Sequence, residues 1–380
     1  MHIGIIGTRG IPNNYGGFEQ CAEYLAAGLV KRGFRVSVYN SHNHPYQEKE
    51  WKGVNIIHCY DPEYKWGTAG QFVYDLNCIR DARKRSFDII LQLGYTSSSI
   101  WGWLLPGRAV ITTNMDGLEW KRSKYTGSVR RFLLYAEKLG VKYSDHLIAD
   151  SVGIQDYLRN KYGQESTFIP YGAHLFNDSN AGVLKEYNIE PYNYDMLIAR
   201  LEPENSIEVI LDGVVQANTR RPFIVVGKYE TAYGTYMKNK YSTNKNIRFV
   251  GGIYEIEKLN NLRYFSNLYF HGHTVGGTNP SLLEAMASDS WICAHDNPFN
   301  RYILGEDGLY FTTSGDVAKH LVQADYTDKS CHEMIRNNRR KIADIYSWER
   351  IIEQYTNHFL EIKGDLKKEK QAAAVYQVTG

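Results

Sequence analysis

Short runs of β-branched and other apolar residues alternate with segments of helix length along this chain, and few folds are compatible with such a pattern. Six runs come first: HIGIIG, RVSVYN, VNIIHCY, DIILQLG, AVITTN and HLIADS. After a gap, five more follow: DMLIARL, PFIVVG, NIRFVGG, NLYFHG and WICAHD. Strands that alternate with helices form parallel sheets joined by right-handed crossovers. The sequence therefore predicts an α/β protein with two parallel-sheet domains.

The gap between the two sets of strands, residues 172–193, marks a domain boundary, because it is polar, loop-rich and contains Pro191. At 380 residues the chain is also longer than one hydrophobic core usually grows. The segment YSWERIIEQYTNHFLEI has apolar residues at helical spacing, whereas the Lys-rich sequence after it has no periodicity. We expect four parts: a domain over 1–172, a domain over 173–345, a helix over 346–363 and a disordered tail over 364–380.

Composition argues against several classes of function. The formal net charge of +2 is nearly neutral, which does not favour a nucleic-acid-binding protein. The five cysteines are far apart and form no Cys/His cluster, so we expect buried, reduced thiols and no metal site. Strand-like sequence begins at His2 without an apolar leader, and no apolar run approaches the roughly 20 residues of a spanning helix. We therefore expect a soluble, cytoplasmic protein.

Glycines follow the first predicted strand in GIIGTRGIPNNYGGFEQ. Gly16 and Gly17 allow a ligand to approach the backbone at the start of a helix. Arg9 is suited to a phosphate or a carboxylate, and Glu19 stands near the start of the same helix. One alternative is a dinucleotide-binding loop, although the second strand ends in Asn40 where a nicotinamide site needs an acid. The other alternative is a glycine-rich turn without a ligand.

Two further motifs stand at the ends of predicted strands. In TNMDGLEWKR, Asp116 and Glu119 could accept hydrogen bonds from a sugar or act as a base, or Asp116 could simply cap an Asx-type turn. In ARLEPENS, the guanidinium of Arg200 is suited to a diphosphate. A surface salt bridge from Arg200 to Glu202 or Glu204 is the alternative.

The segment GGTNPSLLEAM predicts a glycine loop that leads into a helix with Asn279 as N-cap and Pro280 as first helical residue. Backbone amides and the positive end of the helix dipole favour an anion there. Glu284, one turn inside, suits the hydroxyls of a ribose, or it only balances the helix dipole. His271 and His273 have no third ligand in the sequence, so we interpret them as pocket or core histidines rather than metal ligands.

These motifs occur in the same order as in a known group of enzymes. With GTRGIPNNYGGFE, DGLEWKR, ARLEPEN, GGTNPSLLEAMA and YSWERIIEQY, the chain resembles the retaining nucleotide-sugar glycosyltransferases of family 4, which have the GT-B fold. More narrowly, it is similar to the rhamnosyltransferase-like branch that works in capsule and O-antigen assembly. The resemblance implies two Rossmann-like domains that face each other across a cleft, with the terminal helix returning to the first domain.

The resemblance also implies a site. The second domain would bind the nucleotide diphosphate sugar and the first domain the acceptor. The implied catalytic residues are Asp116, Arg200 and Glu284. The implied donor-binding residues are Arg200, Asn205, His271, Gly276, Gly277, Thr278, Asn279, Pro280, Ser281 and Glu284. The implied acceptor-side residues are Arg9, Gly16, Gly17, Glu19, Asp116 and Glu119. Neither a cofactor nor a divalent metal is implied, since amides and Arg200 would carry the leaving-group charge.

Two positions depart from the family pattern. Gly276 stands where the wider family has the first of two glutamates, and Asn205 stands where it usually has a lysine. Both changes remove contacts to the donor, which suggests a deoxyhexose such as rhamnose with fewer hydroxyl groups. An inactive sugar-nucleotide-binding subunit and a GT-B sugar-nucleotide epimerase are the alternative functions.

Residues 121–145, KRSKYTGSVRRFLLYAEKLGVKYSD, form a basic stretch interleaved with apolar residues. A basic amphipathic helix can lie on an anionic membrane, here the cytoplasmic face of the inner membrane. The resemblance supplies a lipid-diphosphate-linked saccharide as acceptor. An ordinary solvated helix face is the alternative.

Overall fold

The computed structural model describes the backbone of residues 1–14, 16–122 and 125–378, with side chains as far as Gly364. The chain divides into two compact units. Unit 1 comprises Met1–Trp120, Gly127–Tyr171 and the chain from Trp348, and unit 2 comprises Lys121–Thr126 and Gly172–Ser347. Residues 121–126, which the sequence assigns to the first domain, therefore cluster with unit 2.

Unit 1 is built on one eight-stranded sheet. Its strands are β1 His2–Ile6, β2 Arg35–Ser41, β3 Glu50–Trp51, β4 Val54–Cys59, β5 Ile89–Leu93, β6 Val110–Asn114, β7 His146–Ala149 and β8 Thr167–Phe168. They lie in the order β3-β4-β2-β1-β5-β6-β7-β8, and all neighbours are parallel except β3 and β4. The helices between them are α1 Gly17–Lys31, α2 Glu63–Trp66, α3 Ala69–Ala82, α4 Gly127–Lys142 and α5 Val152–Tyr162, with 3₁₀ segments at Ser98–Leu104 and Glu119–Lys121.

Unit 2 is built on a six-stranded parallel sheet. Its strands are β9 Asp195–Ile198, β10 Phe223–Val226, β11 Ile247–Gly251, β12 Leu268–His271, β13 Ile292–His295 and β14 Leu309–Phe311. They lie in the order β11-β10-β9-β12-β13-β14. The helices are α6 Ile207–Ala217, α7 Ala232–Lys240, α8 Ile256–Tyr264, α9 Pro280–Ala287, α10 Pro298–Leu304, α11 Ser314–Gln323 and α12 Lys329–Asp344, with 3₁₀ segments at Ala181–Tyr187 and Pro203–Asn205.

The central strands are largely apolar and buried, as the sequence predicts for parallel sheets covered on both faces. All residues of β5 and of β10 are buried. Each of the eleven predicted runs contains a strand. The two parallel-sheet α/β units confirm the predicted fold class.

Three strands were not predicted: β3, β8 and β14. Each has only two or three residues and each lies at the edge of its sheet. An edge strand pairs on one side only and faces solvent on the other, so it needs no continuous apolar run. The sequence therefore carries little signal for these three.

The last helix, α13, runs from Trp348 to Val378 and belongs to unit 1. The ring of Trp348 stacks on Tyr24 of α1 with their centroids 4.8 Å apart. At the crossing of the two helices, Gly28 of α1 lies against Ile352, and a Cβ at position 28 would collide with that side chain. The absence of a side chain at one α1 position thus allows α13 to pack closely.

The end of the chain differs from the sequence-based expectation. The predicted helix ends at 363 and a disordered tail follows, whereas α13 continues through Val378. Thr379, Gly380 and Lys124 of the basic stretch lie outside the described residues. Among the residues that are described, no helix is both long enough and apolar enough to cross a membrane.

Candidate functional site

The strand order of unit 2 defines where a ligand would bind. The chain passes from β9 to β10 and β11 on one side of the sheet and then returns to β12 on the other side of β9. In open parallel sheets, ligands bind beyond the carboxyl ends of the strands at such a switch point. The turn that carries Arg200 follows β9, and the loop 272–279 follows β12. The two predicted donor-binding motifs therefore lie at the carboxyl ends of adjacent strands.

Backbone contacts join these two segments. The amide and the hydroxyl of Thr274 both donate to the carbonyl oxygen of Glu204, at 3.1 and 2.8 Å. Gly272 lies so close to the carbonyl of Asn205 that a Cβ would collide with it. The glycine is therefore required for the close approach of the two loops.

Asn205 shapes the turn of Arg200. Its buried side chain donates from Nδ2 to the carbonyl oxygen of Arg200 at 2.7 Å. The Arg200 side chain is exposed, and it forms no salt bridge with Glu202, Glu204 or any other described residue. Oε1 of Glu204 lies 3.8 Å from Nη1 of Arg122. The structure thus gives Asn205 a role in the turn and leaves Arg200 oriented outward.

Helix α9 begins as predicted. Asn279 is the N-cap, and its Oδ1 accepts from the amide of Ser281 at 2.9 Å, while Pro280 is the first helical residue. No acidic residue stands in the first turn, so the positive end of the helix dipole is not neutralised there. Gly276 has a φ of 142°, a conformation that other residues rarely adopt. A glutamate at position 276, as in the wider family, would therefore need a different backbone conformation. The sequence pattern alone did not indicate this.

Glu284 forms an ion pair that the sequence did not predict. Its Oε2 accepts from Nη2 of Arg263 at 2.6 Å, and the Arg263 side chain is only 1% exposed. Arg263 also donates to Oγ of Ser281 at 3.3 Å, and that hydroxyl lies 3.0 Å from the hydroxyl of Tyr269. Glu284 is therefore held in place by Arg263 of α8, and Ser281 in the same helix contacts Tyr269 of β12. An arginine near the end of a helix is usually a surface residue, so nothing in the sequence predicts that Arg263 is buried or paired with Glu284.

Two histidines follow one another at the end of β12. The rings of His271 and His273 stack with centroids 4.4 Å apart. Burial, together with His273, Arg263 and His295, lowers the pKa of His271 well below its ordinary value. Across the part of the chain that is described, no group of three or more His, Cys, Asp or Glu side chains could hold a metal ion.

In unit 1, the loop after β1 is closed by side chains. Oε1 of Glu19 accepts from the amide of Arg9 at 2.9 Å, and the side chain of Asn40 both accepts from and donates to the backbone of Ile11, at 3.1 and 2.8 Å. The guanidinium of Arg9 binds both carboxylate oxygens of Glu63, at 2.7 and 2.8 Å. A carboxylate thus occupies a loop amide that a pyrophosphate would need, which argues against the dinucleotide alternative.

The acceptor-side glycines lie at the start of α1. Gly16 is its N-cap, in an extended conformation without a side-chain cap, and Gly17 is its first residue. Asp116 follows β6 with a φ of 46°, and its amide donates to Oδ1 of Asn114 at 2.9 Å. Asn114 thus forms an Asx-type turn of its own, two residues before Asp116. Glu119 begins the short 3₁₀ segment after it.

The structure thus brings the predicted residues together in two groups, one in each unit. In unit 2, the Arg200 turn, His271, the loop 276–279 and α9 stand at one edge of the sheet. In unit 1, the loop after β1 and the loop after β6 lie on either side of β5 at the carboxyl edge. The sequence analysis did not identify Arg263, Thr274 or Asn297, whose Nδ2 donates to the carbonyl oxygen of His273 at 3.0 Å.

The architecture of the two units has close counterparts among solved structures. Sucrose-phosphate synthase from Thermosynechococcus elongatus is similar with a TM-score of 0.76 at 17% identity, over 98% of this chain and 99% of that chain. The chain has the GT-B fold. Anabaena HepE in complex with UDP-glucose gives a TM-score of 0.74 at 14% identity, over 95% and 99%. A glycosyltransferase from Rickettsia africae gives 0.70 at 12% identity, over 95% and 98%.

Sequence comparisons cover less of this GT-B chain. A family model described as a domain of unknown function (DUF1972) matches residues 105–174, which include β6, Asp116 and α4. No curated protein sequence matches the chain. At the identities of the solved structures, similarity shows the fold, and the function has to be argued from the residues.

Proposed function

We propose that this chain is a nucleotide-sugar glycosyltransferase whose unit 2 binds the donor. The observation that carries the proposal is the glycine loop and the positive end of α9, without an acid in its first turn, at the same switch point of a GT-B sheet as the exposed Arg200. Both groups attract a diphosphate. The similar HepE structure contains UDP-glucose, which supports a donor of this chemical class.

Each residue of the unit 2 site then has a role. Arg200, the backbone amides of the glycine loop 276–279 and the positive end of the α9 dipole bind the diphosphate, and Glu284 accepts from the ribose hydroxyls. Arg263 holds the Glu284 carboxylate in position through its 2.6 Å ion pair. Asn205 and Thr274 fix the loops on which these groups stand.

Transfer depends on stabilising the leaving diphosphate. Preorganised amides and a guanidinium stabilise charge as it develops on the leaving group, so we propose that no divalent metal is required. We further propose the retaining mechanism of family 4, without a covalent nucleophile. Unit 1 would bind the acceptor, with Asp116 near the reacting hydroxyl. Its left-handed backbone supports this assignment, since strained conformations concentrate at functional positions.

The proposed substrates follow from the resemblance to the rhamnosyltransferase-like branch. The donor would carry a deoxyhexose such as rhamnose, and the acceptor would be a lipid-diphosphate-linked saccharide in cell-surface polysaccharide synthesis. The exposed face of α4 supports a membrane-bound acceptor. Arg130, Arg131, Lys138 and Lys142 all face solvent there.

The donor site is tested by titrating dTDP, UDP, GDP and NAD into the protein, with calorimetry and thermal unfolding as readouts. We expect one nucleoside diphosphate to bind, with and without EDTA, and NAD not to bind. Arg200→Ala should weaken binding by about 10-fold or more, as expected for a lost hydrogen bond to a charged group. The matched control is Arg220→Ala, an exposed arginine just before β10 and so near the opposite end of the sheet. Equal affinities of the two variants would contradict the proposal.

The Glu284 variant must be chosen with its ion pair in mind. Removing the carboxylate in Glu284→Ala leaves the buried Arg263 charge unpaired, which costs about 3–5 kcal/mol of folding stability. Glu284→Gln keeps an oxygen for Arg263 and removes only the charge. We expect this variant to fold and to bind the nucleoside diphosphate more weakly.

Activity separates the alternatives. Donor turnover that requires an acceptor identifies a transferase, and release of a free sugar without acceptor identifies an epimerase-type enzyme. Tight nucleotide binding with no turnover of any donor would identify an inactive binding subunit. The anomeric configuration of the product, read by NMR, tests retention.

A further inference from the structure

Two histidine rings at the end of β12 have polar atoms that the fold does not satisfy. His271 is 1% exposed, and neither of its ring nitrogens has a hydrogen-bond partner among the described residues. Nδ1 of His273 is likewise buried without such a partner. Buried polar atoms in native proteins are nearly always hydrogen-bonded, so each exception needs an explanation. A ligand is one such explanation.

The pair stands next to the start of α9. Alternate residues of a strand face the same side of a sheet, so His271 shares its side with Tyr269. The hydroxyl of Tyr269 lies 3.0 Å from that of Ser281 in the first turn of α9. The backbone of His273 is itself fixed, because Asn297 and Asn300 donate to its carbonyl oxygen at 3.0 and 3.1 Å. His271 therefore shares its side of the sheet with the side chain that contacts the start of α9, and the ring of His273 stacks on that of His271.

Positive charge surrounds His273. Burial lowers the pKa of His273 to about 3, with Arg200 and Arg122 contributing in the same direction. The carboxylate of Glu204 lies 3.8 Å from Arg122. The ring is thus neutral in the unliganded protein at ordinary pH.

A cationic side chain also acts on His271. Arg263 and His295 act on it electrostatically, and burial is the largest cause of its lowered pKa. The carboxylate of Glu284 is paired with Arg263 at 2.6 Å. The side chains that lower the pKa of the two histidines thus include three arginines, Arg263, Arg200 and Arg122.

We propose that His273, supported by the stacked ring of His271, is a ligand of the donor's diphosphate and takes up a proton when the diphosphate binds. This inference rests on the proposed function, since it assumes that a nucleoside diphosphate binds at Arg200 and α9. The protonated ring would donate a charge-assisted hydrogen bond to a phosphate oxygen. His273 would then help to hold the leaving group, a role that the resemblance assigns to backbone amides and Arg200.

The direction of the pH dependence follows from the charges. A diphosphate brings at least two negative charges to the place where cations now disfavour the imidazolium, so binding raises the pKa of His273. A group whose pKa is higher in the complex binds a proton on association. Affinity should therefore increase as the pH falls through the pKa of the complex.

The test is calorimetric titration, in buffers of different ionisation enthalpy, of whichever nucleoside diphosphate binds and of its glucose or mannose diester. The diester is included because its phosphates do not titrate near neutral pH, whereas a terminal phosphate has a pKa of about 6. Wild type, His273→Gln and the control His332→Gln, a histidine of α12, are compared at about pH 6 and about pH 8. Far-UV circular dichroism confirms that each variant is folded.

We expect the wild type and His332→Gln to take up protons on binding at the lower pH and His273→Gln to take up fewer. We also expect His273→Gln to lose about 10-fold in affinity at the lower pH and less at the higher pH, the size of one charge-assisted hydrogen bond. Binding with the same proton uptake in wild type and His273→Gln overturns the inference and leaves the proposed function standing. Failure of every nucleotide to bind the wild type overturns both.

Discussion

At the scale of single residues, Asp75 of α3 predicts how stability depends on pH. Burial raises its pKa to about 7, opposed by the hydrogen bond from Ser97 at 2.5 Å. The folded protein therefore holds a proton that the unfolded chain releases near its ordinary pKa of about 4. The contribution of Asp75 to the free energy of unfolding should fall by up to about 4 kcal/mol as the pH rises from about 4 to about 7.

Replacing the carboxyl group isolates this effect. Asp75→Asn cannot ionise, so its free energy of unfolding lacks this pH dependence. As the pH rises, the wild type should therefore lose stability relative to the variant. Urea unfolding of both proteins at about pH 5 and about pH 7.5 measures it. Other titrating groups cancel in the difference. A difference that stays constant with pH would mean that Asp75 is ionised at no cost in the folded protein.

Residue identities predicted part of the site. The cap by Asn279 and the first helical residue Pro280 are confirmed, since capping depends on neighbours within a few positions. The partner of Glu284 could not be predicted, because Arg263 is 21 residues away in sequence and meets it only through the packing of α8 on α9. The turn role of Asn205 also depends on a three-dimensional contact.

At the scale of elements, the crossing of α1 and α13 depends on Gly28. A methyl group at this position would collide with Ile352, so Gly28→Ala should lower the free energy of unfolding by about 1–3 kcal/mol, as overpacked sites do. Gly127→Ala is the matched control, because nothing lies within 4 Å of a Cβ at that position in α4. Urea denaturation compares the two variants with the wild type.

A second substitution checks the physical reason. Ile352→Val shortens the side chain that Gly28→Ala would strike, so the double variant should regain part of the lost stability. Strictly additive losses would show that the glycine acts through the backbone and not through the helix crossing.

Prediction was most successful for elements that are buried on both faces. Eleven apolar runs each contain a strand, whereas the short edge strands β3, β8 and β14 carry no such run. The length of α13 was underestimated because a polar, Lys-rich segment has no amphipathic period. A helix of that composition is not stabilised by burial of an apolar face, so hydrophobic periodicity does not predict where it ends.

At the scale of the whole molecule, the net charge of +2 conceals an uneven distribution. Helix α4 has one acid, Glu137, and its buried carboxylate accepts from Tyr157 at 2.6 Å and Lys161 at 2.8 Å. The basic residues of α4 face solvent together with Tyr135. The exposed face of this helix is therefore cationic with an aromatic side chain, which suits an anionic membrane surface.

Vesicle binding tests that surface. Each basic residue near an anionic surface contributes about 1 kcal/mol, so the wild type should cosediment with vesicles rich in anionic lipid, and salt at about 0.5 M should release it. The triple variant Arg130→Glu, Arg131→Glu and Lys138→Glu should lose the binding. The control triple variant Lys185→Glu, Arg220→Glu and Lys245→Glu reverses three exposed cations of unit 2 and changes the net charge by the same amount. Equal losses in both variants would assign the binding to net charge, whereas retention in the control alone assigns it to the face of α4.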